Sequence, residues 1–302
     1  MDIFDLSRCL LCPRKCGADR LSGDLGYCRE TAQMRASLAY LHQWEEPCLS
    51  GNKGSGTVFF SGCNMGCVFC QNGQISHKGT GFEITPERLC EIFFELKEKG
   101  AHNINLVTAG HFLPMVLSAV ESAKKQNIGL PFVYNSSGYE RVEAIKRCEG
   151  LIDIYLPDFK YMDESLSKKY SNAPDYPKVA KDALAEMVRQ QPECIFDGDL
   201  MKNGVIVRHL LLPRNLADSK KVVRYLLDTY GDNIYISLMS QYTPIAGLDG
   251  YPELQKTVSE ADYDALIDYA IELGVENAFI QEGTAASESF IPDFSGQGII
   301  KE

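Results

Sequence analysis

The chain has 302 residues, enough for one large domain or two small ones. Its 45% hydrophobic and 24% charged residues exclude a disordered or fibrous chain, and a core of this size needs no disulfides. A net charge of −11 argues against a general nucleic-acid binder, and the apolar runs fall well short of a membrane span. The acidic start Met1-Asp2-Ile3-Phe4-Asp5 lacks the basic region of an export signal, so we expect a cytoplasmic protein with neither nucleic-acid nor membrane partners.

Eleven cysteines are the excess in this composition. In a reducing compartment clustered cysteines read as metal or redox ligands before disulfides. Cys9, Cys12, Cys16 and Cys28 form C-x2-C-x3-C-x11-C in a segment with little hydrophobic periodicity. Metal binding would offset the cost of ordering such a segment. The spacing fits neither a regular zinc ribbon nor the ferredoxin run; zinc or an auxiliary iron–sulfur cluster is favoured over uncoordinated thiols, with Cys48 as an alternative ligand. The turn formers Ser50-Gly51-Asn52-Lys53-Gly54-Ser55-Gly56 close this part, giving a Cys-rich metal-binding extension at 1–55 and a second unit at 56–302.

From there short β-rich runs alternate with helical patterns. The strands are expected at Thr57–Phe60, Ile104–Thr108, Phe132–Asn135, Ile152–Leu156, Val205–Leu211, Ile234–Leu238 and Asn277–Ile280. Thr85 and Pro86 open a helix whose Leu89, Ile92, Phe93 and Leu96 make one apolar stripe, and Gly100 stops it. Further helices are expected around Val179–Val188, around Val222–Leu227 up to Gly231, and from Ser259 to Gly274. Such alternation demands a mostly parallel sheet with outer helices, here an α/β partial (β/α)6-type barrel. Chemistry in such barrels sits on the loops that follow the strands.

Directly after the first of these strands comes Cys63-Asn64-Met65-Gly66-Cys67-Val68-Phe69-Cys70. A closed structural zinc site wants four protein ligands, and a [4Fe–4S] cluster has four irons to ligate, so three thiolates on one loop leave one position free for chemistry. A zinc site completed from elsewhere and unliganded thiols are the bland alternatives. The motif, with Phe69 before its last cysteine, resembles that of the radical S-adenosylmethionine enzymes. Gly54–Cys63, Gln71-Asn72 and Tyr155-Leu156-Pro157-Asp158-Phe159-Lys160 look like the pyruvate formate-lyase-activating-enzyme branch, including its iron–sulfur members with a Cys-rich N-terminus.

The resemblance implies that Cys63, Cys67 and Cys70 hold a [4Fe–4S] cluster whose open iron is chelated by S-adenosylmethionine, and that reductive cleavage yields a 5′-deoxyadenosyl radical which abstracts hydrogen. It places Phe69 near the adenine and Gly110 at the methionyl amine. There the family's Gly-Gly-Glu is not intact: Thr108-Ala109-Gly110-His111 keeps one glycine, with His111 at the glutamate position. Asp158 and Lys160 match the Asp-x-Lys pattern near the methionyl carboxylate, with Lys160 or a monovalent cation as mediator. Asn135-Ser136-Ser137-Gly138 stands where the activating enzymes carry Asp-Thr-Asn-Gly, which puts Ser136 among the cofactor contacts and weakens any ion site at Asn135. His111 reads as an acid, base or substrate contact, or as a structural side chain, and Arg208-His209 resembles the family's Val-Arg-Tyr segment. The implied activity is activation of a glycyl-radical protein, with a flavodoxin or ferredoxin as electron donor. The alternatives are radical modification of another peptide or small molecule, or a non-catalytic iron–sulfur electron carrier.

Overall fold

The computed structural model describes residues 2–281 and 292–301; the stretch 282–291 of the expected second unit lies outside them. Ten strands form the sheet: β1 Arg35–His42, β2 Ser55–Phe60, β3 Phe82–Glu83, β4 Ile104–Val107, β5 Phe132–Ser136, β6 Ile154–Pro157, β7 Ile195–Asp197, β8 Leu200–Leu210, β9 Tyr235–Met239 and β10 Ala278–Ile280. Their order is β10-β9-β8-β6-β5-β4-β2-β1-β3, with β7 folded back on β8. From β2 to β10 every neighbour along that order is parallel. All seven expected strands are present, and the sheet curls into a partial barrel that does not close.

Strand alternation sorts the side chains into two sets, because successive residues face opposite sides of a sheet. Ile104, Leu106, Phe132, Tyr134, Tyr155, Val205 and Val207 pack outward in one core with Leu89, Phe93 and Val116 of the covering helices. Val133, Ile154, Leu156 and Ile206 face inward, where Cys48 and Leu49 plug the barrel. The helix Pro86–Glu98 begins as its cap predicts, with the Thr85 side chain accepting from the Arg88 amide and Gly100 at φ 95° behind its end. Between β6 and β8 there are two helices, Glu164–Ser171 and Tyr176–Gln190, where the sequence pattern showed one.

Residues 35–42 depart from the sequence reading. They form β1, antiparallel to β2, so the expected division at residue 55 falls between two paired strands. Most of β1 is buried, which removes the in–out alternation by which a half-buried strand is recognised. Ahead of it, residues 2–34 contain only the 3-10 turns Leu6–Arg8 and Arg20–Ser22. The other end of the chain returns to β1: Gly296 donates to Ser37 and Ala39 to Gln297, both at 2.9 Å, and Phe294 meets Phe59 edge-on.

Candidate functional site

The loop that leaves β2 carries Cys63, Cys67 and Cys70 at the C-terminal edge of the parallel strands, the position expected of a barrel's reactive loop. Its shape is held by backbone and hydroxyl contacts. The Val68 amide donates to the Tyr170 carbonyl at 2.8 Å, and the Ser171 hydroxyl donates to Cys67 Sγ at 3.0 Å. The Ser76 hydroxyl donates to Cys70 Sγ at 3.3 Å, and the Met65 amide to Cys63 Sγ at 3.4 Å. Burial, with the charges of Cys70 and Cys67 adding to it, pushes the Cys63 thiol up to about 12. Burial raises the Cys67 thiol too, against the pull of the Lys160 charge.

Burial thus holds Cys63 and Cys67 in their thiol forms unless a cationic centre stands beside them. The donor set fits an iron–sulfur cluster: soft ligands, a shared loop, hydroxyl and amide donors to sulfur. Among the described residues no three His, Cys, Asp or Glu side chains already stand in an ion-holding arrangement.

Phe69 is buried, with Tyr170 and Tyr242 edge-on to its ring. Gly110 opens the turn after β4 in a crowded place: a Cβ there would lie 2.7 Å from Glu140 Oε1 and 2.8 Å from Tyr134 Oη, so those side chains would have to shift. So a carboxyl does stand at the altered Gly-Gly-Glu corner, brought by Glu140 from beyond β5. Thr108, just before it, holds φ 59°, an outlying conformation for a β-branched residue. His111 is buried and its Nε2 lies 2.6 Å from the Ser61 carbonyl, while burial and the Arg20 charge push it down to about 3. It is a neutral structural tie between the β4 and β2 loops rather than an acid or base.

Asp158 and Lys160 form an ion pair at 2.6 Å just past β6. Arg208 of β8 turns inward and donates Nε to the other Asp158 oxygen at 3.0 Å and Nη2 to Asn135 Oδ1 at 2.6 Å. Burial works against the Asp158 charge, yet Lys160 and Arg208 outweigh it and hold the carboxyl below its usual range. Neighbouring His209 instead bonds the Phe159 carbonyl. Ser136 ends β5 in the same rim, its hydroxyl accepting from the Gly138 amide.

Cys9, Cys12, Cys16 and Cys28 come together around Arg20 and Gly26. Cys16 Sγ and Cys28 Sγ both lie within 3.6 Å of where a Gly26 Cβ would stand, and Arg20 Nη1 is 3.8 Å from Cys9 Sγ. Burial pushes Cys12 up to about 12, with the charges of Cys28 and Cys9 adding to it. Cys48 is not with them; it lines the barrel's inner core close to Cys194. Cys90 and Cys148 are ordinary core residues.

Sequence reasoning passed over Arg14. It lies between Cys12 and Cys16 and clasps the other cysteine loop: Nε donates to the Asn64 carbonyl and Nη2 to that of Met65, both at 2.8 Å. The same guanidinium bonds the carbonyls of Ser171 and Asn172 and lies over the Tyr27 ring at 4.0 Å. Hydrogen bonds from a side chain to backbone carbonyls leave no mark in the acceptor's sequence, so no motif could have announced this one.

Residues 57–226 match the family model of the Radical SAM superfamily, more than half of the chain, and the chain belongs to that superfamily. Among curated proteins it is 27% identical to the uncharacterized protein MJ0674 of Methanocaldococcus jannaschii over 271 residues, 87% of this chain and 74% of that one. Among solved structures it resembles HydG, a maturase of the [FeFe]-hydrogenase, with TM-score 0.52 and 15% identity over 74% of this chain and 51% of that one. It also resembles Streptococcus suis SuiB bound to S-adenosylmethionine, with TM-score 0.51 and 13% identity over 74% and 49%. A second SuiB structure, bound to precursor peptide SuiA, gives TM-score 0.50 at 13% identity over 74% and 48%. These likenesses concern the fold, and the chain spans about half the length of the solved structures it matches. Membership makes this an enzyme of the radical S-adenosylmethionine type, for which the family implies a [4Fe–4S] cluster and S-adenosylmethionine. Among the described residues no helix is long and apolar enough to cross a membrane.

Proposed function

We propose that Cys63, Cys67 and Cys70 ligate the [4Fe–4S] cluster and that Phe69, Gly110, Ser136, Asp158 and Lys160 contact S-adenosylmethionine beside it. When bound, this pair supplies reductive scission of the sulfonium carbon–sulfur bond and the hydrogen abstraction that follows. The observation that carries the reading is the three-thiol loop beyond β2 with the Lys160 charge against Cys67. Lys160 and Arg208 leave Asp158 as a fixed, fully paired carboxylate, so the two side chains do what a monovalent cation would otherwise do. Lys160 then faces the anionic end of the cofactor, while the Gly110 backbone offers its peptide groups to the ammonium end. Buried Phe69 supplies an apolar wall, and the neutral His111 locks the loop start without taking up a proton.

The substrate we favour is a protein or peptide, with glycyl-radical activation as the particular case and a flavodoxin or ferredoxin as reductant; a peptide is also what SuiB holds. We place the boundary between the Cys-rich extension and the barrel ahead of Arg35, because β1 pairs with β2. Cys9, Cys12, Cys16 and Cys28 bind zinc or an auxiliary cluster, and Arg14 couples that site mechanically to the reactive loop. Anaerobic reconstitution with iron and sulfide, reduction by dithionite and assay of 5′-deoxyadenosine test the reading, with metal counts on the chain before and after. Product from the native chain and none from Cys67→Ala supports it. A loaded, reduced cluster whose EPR signal ignores S-adenosylmethionine would overturn it in favour of an electron carrier.

A further inference from the structure

Two carboxyls in the barrel have no part in that chemistry. Glu45 and Glu46 follow β1, whose last residue pairs with the first of β2, so they stand at the end of the barrel away from the cysteine loop. Both point inward. Glu45 Oε2 lies 3.4 Å from Arg208 Nη1, and its Oε1 lies 3.5 Å from Asn135 Nδ2. Both contacts are long, since Arg208 and Asn135 already bond each other at 2.6 Å. Glu46 is 8% exposed, and its Oε2 has no hydrogen-bond partner.

Beside Glu45 stands Asn105, the inward residue of β4. It is wholly buried; its amide leans on the Glu45 carboxyl and helps lower its pKa without closing a well-formed hydrogen bond, and its oxygen has no partner. A buried amide and a buried carboxylate oxygen left unmatched on either side of Glu45 are costly, and native interiors rarely tolerate them without a ligand or water. Three carboxyls, Glu45, Glu46 and Asp158, face two cations, Lys160 and Arg208. Burial raises Glu45 and Glu46 against the pull of Arg208, so a further cation beside them would favour their charged forms, and His42 nearby is held neutral by burial and by the Arg208 charge.

We propose that Glu45, Glu46 and Asn105 form a subsite for a cationic nitrogen group of the substrate, a protonated alkylamine. It rests on the reading of the barrel as a radical enzyme with an interior substrate. An ammonium offers three donors to the open Glu46 oxygen, the long-bonded Glu45 carboxyl and the Asn105 oxygen, and its charge would offset the burial of the two carboxylates. An anion or a neutral hydroxyl does neither. Contacts running Glu45–Arg208–Asp158–Lys160, with Lys160 against Cys67, join this subsite to the reactive loop. A substrate anchored here by its amine would extend its other end toward that loop.

The test is binding of n-propylammonium to the reconstituted chain, with n-propanol and propionate as neutral and anionic counterparts, followed by the shift in thermal midpoint and by NMR. Propylammonium should bind at least about tenfold tighter than propanol, and Glu46→Gln should remove about tenfold of that preference. Asn105→Ala removes only the weak contact of its amide with Glu45, and a variant whose circular dichroism matches the native chain should bind the amine severalfold more weakly, which guards against a Glu46 variant that merely misfolds. Equal binding of amine and alcohol, no binding of the amine, or native affinity in a folded Glu46→Gln chain would overturn the subsite and leave a water-filled polar interior. The 5′-deoxyadenosine assay separates the two readings: intact cleavage without amine binding sinks the subsite alone. Amine binding by a chain whose loaded, reduced cluster gives an EPR signal indifferent to S-adenosylmethionine sinks the radical reading alone.

Discussion

Cys63, Cys67 and Cys70 stand on the end of a strand inside a ten-stranded sheet, whereas Cys9, Cys12, Cys16 and Cys28 stand on a segment with two 3-10 turns and no strand. The first loop is placed by a core that exists whether or not a metal is bound. The second is placed by Arg14, Arg20 and the sulfurs themselves, with Cys28 and Glu30 packed so closely on Gly62 that a Cβ there would lie 2.5 Å from the Glu30 side chain. On the proposed reading metal would be a reagent at one site and a structural support at the other, and the two should respond differently to the same perturbation.

The largest expected effect is chemical. Cys67→Ala should abolish 5′-deoxyadenosine formation while circular dichroism and thermal midpoint stay near native, since the β2 loop does not nucleate the sheet. Chelation should then separate the regions: limited proteolysis of the metal-stripped chain should cut within residues 8–35 and spare the barrel. Cleavage spread evenly over the chain would erase the distinction. Arg14→Ala attacks the join itself, removing charge-assisted bonds to carbonyls on both sides and a stacked ring contact. We expect a loss of about 2–4 kcal/mol in denaturant unfolding and a cluster that is lost faster to chelator.

A smaller effect tests the altered corner. Gly110→Ala drives a methyl onto the Glu140 carboxyl, costing about 1–3 kcal/mol, and Glu140→Ala in the same chain should restore part of it. The smallest concerns acid. His111 has an ordinary value of 6.5 and is pushed to about 3 by burial, so the unfolded chain takes up its proton first. Its contribution is complete above about pH 6.5 and is lost as the pH falls toward 3. His111→Asn should therefore show a shallower acid limb in urea midpoints measured across that window; an unchanged slope would mean that His111 is not held neutral.

Much of the architecture was legible in the chain. The seven parallel strands announce themselves by β-branched runs between turn formers, and the helix at Pro86–Glu98 by its cap, its stripe and its glycine. Strand β1 escaped because burial of most of its length replaces alternation by a nearly continuous apolar run. The reactive loop was legible because its ligands are neighbours in sequence. Cys48, offered by the sequence only as an alternative ligand, lies in the barrel's inner core, because a cysteine twenty residues beyond Cys28 is placed by the fold and not by its spacing.

What the sequence by itself determined is the local order: which segments are strands and helices, and that three thiols follow the first parallel strand. Periodicity and spacing are short-range properties, and they survive without knowledge of neighbours. Only the tertiary structure decided that Arg208 rather than His209 enters the barrel and that Arg14 clasps a loop some fifty residues away. It alone set Glu45, Glu46 and Asn105 in one buried, undersatisfied group. Those outcomes depend on which residues meet across the sheet and on which buried donors and acceptors remain unmatched once they have met.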